Sequence, residues 1–318
     1  MSNELTMDAV EERDEPHWIS QAAFPVISIA LVIGQGLLGL AVSHRSLWLE
    51  VPLLLIVSHL MHGQLIGFHE ASHGLLRKSR RLNEFDGVLI GVFSLMSFTL
   101  YRAAHQTHHM HLGTQKDEEL WPFVLPSVPR WQRVLAAFCE LFGGLLFTPF
   151  IFMRTFLRKG SPIRSRKVRR RIWAEVALMV IVWAVVLAVV GYFDVWRYFF
   201  WMYLGPAVIA GNLQSWRKYI EHVGLTGSTV KSGTRSIVAD NFMGRLVSFT
   251  LLHEPYHGVH HLRAGITHAE LPQFASELQP DNEEERAPFP SYRHAFIDLF
   301  QCLHDPRVGA QWRHTASK

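Results

Sequence analysis

The chain has 318 residues, 49% of them hydrophobic and only 18% charged, and its mean hydropathy is +0.11. That balance excludes an ordinary soluble domain and predicts an all-α integral membrane protein. The net charge of +4 does not mark a nucleic-acid binder, because the basic residues flank apolar stretches and build no polar domain of their own.

Residues 1–20 include Glu11, Glu12, Asp14 and Glu15, where the start of a secretory signal would be basic, so they read as a cytoplasmic tail. Crossing a bilayer takes roughly 20 apolar residues. Four stretches qualify, at about 21–42, 47–68, 173–192 and 195–212, and two shorter or more broken ones lie at 88–100 and 134–156. The basic clusters Arg77–Arg81 and Arg158–Arg171 are expected on the cytoplasmic side, so an even number of crossings separates them. The stretch 88–100 is short and carries Ser94, Ser97 and Thr99, which favours reading both uncertain stretches as interfacial or re-entrant elements. The expectation is four spans in two hairpins under a cytoplasmic cap, with six spans as the alternative. One membrane domain at 21–275 and a cytoplasmic tail at 276–318 complete the division.

Cys139 and Cys302 are far apart, which excludes a cysteine metal site, whereas histidine occurs 19 times. Three clusters stand out: HEASH (His69, His73), HQTHH (His105, His108, His109) and HGVHH (His257, His260, His261). Chance placement would give roughly 0.07 H-x-x-H-H matches, and two occur. On a helix, positions i, i+3 and i+4 share a face, so each cluster aims its imidazoles one way. Eight imidazoles exceed the four ligands of one tetrahedral zinc and suit two metal ions. By itself HEASH also matches the zinc-protease pattern H-E-x-x-H, with Glu70 as general base.

HEASH, HQTHH followed by LGTQKDEE, and HGVHHL together resemble the three histidine boxes of the membrane fatty-acid desaturases and their hydroxylase and ketolase relatives. The resemblance implies two non-haem irons, O2 as co-substrate and a lipid acyl chain as substrate. It also adds a ninth ligand, His222 in RKYIEH, with Glu221 and Arg217 beside it. The first box has three intervening residues and Lys218 stands four before His222, which is more like the acyl-lipid and carotenoid-type branches than the acyl-CoA branch. No H-P-G-G haem segment occurs, so electrons are expected from a separate donor such as ferredoxin, rubredoxin or cytochrome b5 with its reductase. A hydroxylase or ketolase, for example one acting on carotenoids, is the alternative reading, and a zinc protease a further one.

Ligating histidines usually donate their second N–H to a carboxylate, and Glu70, Asp117 and Glu221 are placed for this. Glu254 is a further candidate, with solvated surface an equal reading. His62 shares a helical face with His69 and is a candidate for the substrate cavity, or else a satisfied interior histidine. His111 and His253 fall off the box spacing, and His17, His44, His268, His294, His304 and His314 read as surface residues.

Overall fold

The computed structural model describes residues 17–315, so the acidic residues before His17 lie outside the described residues. A short helix α1 (His17–Gln21) leads into α2 (Ala23–Ser43), which turns at Arg45 and packs antiparallel on α3 (Leu47–His73). At about 1.5 Å per residue α3 is roughly 40 Å long, against a hydrocarbon core of about 30 Å, so its last turns emerge from the apolar layer. HEASH occupies those turns, and Gly74 ends the helix at a left-handed φ of +80°.

Helices α4 (Arg80–Phe93) and α5 (Phe98–His111) meet at a bend of 103°, which falls on the short stretch 88–100. Ser97 caps α5, its hydroxyl accepting from the N–H of Leu100 at 3.2 Å. Glu175 of α7 (Arg166–Tyr192) accepts from the Ser97 hydroxyl at 2.7 Å and from the Thr99 hydroxyl at 2.6 Å. The bend is thereby pinned and HQTHH is carried back toward HEASH.

The sequence expectation is revised at 134–156. There the chain forms α6 (Arg130–Leu157), kinked at Gly143, and this 28-residue helix is one of four long and apolar enough to cross a membrane, with α2, α3 and α7. The stretch 195–212 instead belongs to a run of α8 (Trp196–Phe199), one π turn (Phe200–Leu204) and α9 (Gly205–His222), which is not one of the four. Its polar end, SWRKYIEH, lowers its mean apolarity and carries the site. Helices α6 and α9 touch backbone to backbone: a Cβ on Gly144 would lie 2.4 Å from the Gly211 carbonyl oxygen. Two glycines are what permit that approach.

Beyond α9 come α10 (Val230–Gly233), α11 (Phe242–Thr250), α12 (His257–Leu262), which carries HGVHH, and α13 (Tyr292–Cys302). Ala295, Leu299 and Val308 are buried against Tyr219, Ile220 and Phe123, so the residues after 275 pack on the cap instead of trailing from it.

Candidate metal centre

Three helix ends converge above the bundle. His69 and His73 lie on the last turn of α3, His105, His108 and His109 on the last turns of α5, and His222 ends α9, while α12 is packed between them. All nine sequence-predicted histidines meet here. They separate into two groups that the spacing did not reveal, because the second and third boxes are each split between them while the first lies wholly in one. His69, His73, His105, His109 and His260 form one group, with ligand atoms all within 4.8 Å of one another. His108, His222 and His261 form the other. His257 joins the second, its Nε2 lying 2.9 Å from that of His222 and 3.1 Å from that of His261.

The outward nitrogens fix the tautomers. His105 Nδ1 donates to Glu119 at 2.8 Å, His108 Nδ1 to Asp117 at 2.9 Å, His222 Nδ1 to the Gly233 carbonyl at 3.2 Å and His257 Nδ1 to Glu254 at 3.0 Å. A neutral imidazole that donates through Nδ1 presents a bare lone pair at Nε2. His222 and His257 therefore face each other lone pair to lone pair at 2.9 Å, and the Nε2 of His105 lies 2.8 Å from that of His69. Such pairs repel until a cation lies between them.

The contacts around His105 are 2.8, 3.1 and 3.1 Å, and five imidazoles exceed the four ligands of a tetrahedral zinc. The residues present form nitrogen-rich donor sets that fit metal ligation and are consistent with iron.

Burial favours the neutral imidazole, the state a ligand needs, although at His108 the neighbouring Asp117 and Glu119 outweigh burial and raise the group. Burial holds His222 well below the ordinary imidazole range, with the neighbouring His257 adding to the effect, and takes His257 down to about 4. Glu254 is different: burial alone would raise it, but His69 and Arg217 hold it well below the carboxylate range. Arg217 Nη1 reaches Glu254 at 2.7 Å and both oxygens of Glu221 at 2.5 and 2.6 Å.

The outer residues differ in part from the sequence expectation. Asp117 is buried on His108 as expected. Glu221 acts chiefly on Arg217 and stays 3.6 Å from His257 Nδ1. Glu70 is buried beside His69 and Glu254, where it accepts from the His268 backbone N–H at 3.3 Å. Glu254 is wholly buried, not solvated, and also lies 3.2 Å from His69 Nδ1, so it touches one imidazole of each group. His268 and His253 are buried as well, and His253 bonds Ser248 and Ser20 away from both groups. Glu119 was missed, because a residue fourteen positions from its partner leaves no periodic signal.

A crevice of about 70 Å³ among α3, α5, α6 and α9 is lined by Leu65, Phe68, Phe152 and Gln214, together with Tyr101 and Glu119. Tyr101 stacks on His105 at 5.2 Å between ring centroids. His62 is buried in the bundle but is not among the residues that line this crevice.

These features define a helical membrane protein with histidine-rich clusters arranged as metal ligands can be. The chain belongs to the fatty acid desaturase family, which its sequence matches over residues 46–293. It is 30% identical over 105 residues to an sn-2 acyl-lipid omega-3 desaturase (ferredoxin), chloroplastic, of Helianthus annuus, a match covering 33% of this chain and 23% of the relative. It is 29% identical over 146 residues to a temperature-sensitive sn-2 acyl-lipid omega-3 desaturase (ferredoxin), chloroplastic, of Arabidopsis thaliana, covering 46% and 32%. An endoplasmic-reticulum omega-3 fatty acid desaturase of Nicotiana tabacum is 23% identical over 154 residues, covering 48% and 38%. The chain thus matches less than two-fifths of the length of each of these relatives.

Proposed function

We propose that this chain is an O2-dependent acyl-lipid desaturase. It removes two hydrogens from adjacent carbons of a lipid acyl chain, and these, with two protons and two electrons from a separate donor protein, convert O2 to water and leave a double bond. The observation that carries this reading is the pair of imidazole groups whose Nε2 lone pairs face one another. Two bound irons supply the O2 activation that lets an unactivated C–H bond be broken, since no acid or base in the chain can do so.

The chain's own residues do the rest. His69, His73, His105, His109 and His260 hold one metal, and His108, His222, His257 and His261 the other. Asp117, Glu119 and Glu254 keep the rings in the ligating tautomer. The apolar crevice at Leu65, Phe68 and Phe152 receives the acyl chain and excludes water from it. The basic loop Arg77–Arg81 directly follows α3, which supports a site on the cytoplasmic face. Two of the relatives carry ferredoxin in their names, which supports an iron–sulfur donor over cytochrome b5.

The protease reading is disfavoured by Glu70, which is 1% exposed and engaged by the His268 N–H, leaving no place for an activated water and a peptide. Expression in a host supplied with ferredoxin and its reductase, followed by lipid mass spectrometry, tests the proposal. Acyl chains lighter by two hydrogens are expected. Acyl chains heavier by one oxygen would make the protein a hydroxylase.

A further inference from the structure

A second cavity, of about 220 Å³, lies beside the third histidine box. Pro255 and Tyr256, immediately before His257, line it together with Ser248 and Met243 of α11 and Tyr292 and Arg293 of α13. The space is many times what one water needs.

Three observations say what it takes. First, Arg245 and Arg293 both line the cavity, and neither forms a side-chain hydrogen bond or ion pair among the described residues. Most other arginines near the cap, such as Arg217, Arg235 and Arg263, are paired with carboxylates. Second, no described Asp or Glu lines the cavity, so nothing there neutralises the two guanidiniums. Two unpaired guanidiniums beside the Tyr292 hydroxyl make a donor set suited to a phosphate. Third, α11 exposes Phe242, Met243 and Leu246, which are 71%, 63% and 42% accessible, while it packs on the apolar helix α2. A helix with an exposed apolar face and an arginine beside it lies in the headgroup layer of a bilayer. The cavity therefore opens at the depth where lipid phosphates lie.

We propose that the Arg245–Arg293 cavity binds the phosphate headgroup of a membrane glycerophospholipid, the lipid whose acyl chain the enzyme desaturates. This rests on the acyl-lipid reading above and makes it specific: the substrate is a phospholipid in preference to an uncharged glycolipid. It also explains how a chain lacking any long-range sequence signal for its substrate can tell lipids apart, through the headgroup and not the tail.

The test is binding to the intact, metal-loaded protein in uncharged detergent, using phosphatidylglycerol, a galactosyl diacylglycerol with the same acyl chains, and inorganic phosphate as probes. The wild type is expected to bind phosphatidylglycerol in preference to the galactolipid, and R245Q/R293Q to bind it about tenfold more weakly. The variant should keep its metal content and its binding of the galactolipid, because neither arginine touches the imidazole groups. In vesicles the same change should raise KM for the phospholipid and leave kcat alone. Equal phosphatidylglycerol binding by wild type and variant would overturn the proposal, as would inorganic phosphate competing as well as the lipid, which would make this a site for the free anion. Loss of headgroup preference with no lipid oxidation by any donor would leave the site standing and refute the desaturase reading.

Discussion

Glu254 is the carboxylate through which the two imidazole groups are joined, so Glu254→Gln perturbs both in a way the geometry makes specific. One oxygen accepts from His257 Nδ1 at 3.0 Å and the other lies 3.2 Å from His69 Nδ1. A glutamine has one accepting oxygen, and its amide nitrogen would face an N–H donor across the second contact. Only one group can keep its partner. Loss of such an outer contact costs about 10–100-fold in metal affinity, or about 1.4–2.7 kcal/mol. Arg217 retains both oxygens of Glu221, so the buried charge stays compensated and the fold should survive. Titrating the purified protein with an iron chelator and counting iron per chain reads the effect. The variant should lose one iron at 10–100-fold lower chelator concentration than the other. If wild type and variant released both irons together at the same concentration, Glu254 would not be acting through the imidazoles.

Asp117→Asn should weaken only the metal held by His108, His222, His257 and His261, again by about 10–100-fold, as iron counting on the purified variant would show. Gly211→Ala drives a methyl to 2.8 Å from the Leu145 backbone and should destabilise by about 1–3 kcal/mol, whereas Gly36→Ala, which meets nothing within 4 Å, should leave the melting temperature unchanged or raised. Lys218→Met strips the buried Glu140 of its ion-pair partner, leaving the neutral Tyr219 and Thr148 hydroxyls, and should cost about 3–5 kcal/mol; Lys218→Met with Glu140→Leu should recover much of that loss in the same thermal assay. Burial lowers His253 to about 3, so between that value and the ordinary 6.5 the unfolded chain binds a proton the native one refuses. Stability therefore rises with pH through this window and is lost as pH falls, by about 2 kcal/mol from His253 at pH 5, and His253→Gln should flatten the dependence of melting temperature on pH.

Much of the centre was legible because ligation demands a fixed pattern on a helix face. The nine histidines are set by three local spacings and the RKYIEH match, and all nine meet. Their division into two groups was not legible, since it depends on how α5 and α12 interleave in space. The same holds for Glu119 and Gly233, and for the contact of Glu254 with His69, each of which arises only through tertiary packing. At the level of the fold, the stretches 21–42, 47–68 and 173–192 fall on α2, α3 and α7, three of the four helices long and apolar enough to cross a membrane. The stretch 134–156 reads as interfacial or re-entrant on the parity of crossings between the basic clusters, whereas in the structure α6 runs through it with a kink at Gly143 and a close crossing with α9 at Gly144.

The central claim is that nine imidazoles hold two irons, and anomalous X-ray scattering at the iron edge from crystals of the metal-loaded protein tests it most directly. Two separate peaks are expected, one within the group of His69, His73, His105, His109 and His260 and one among His108, His222, His257 and His261. A single peak at His69 and His73 alone, or scattering at the zinc edge in place of the iron edge, would contradict the account.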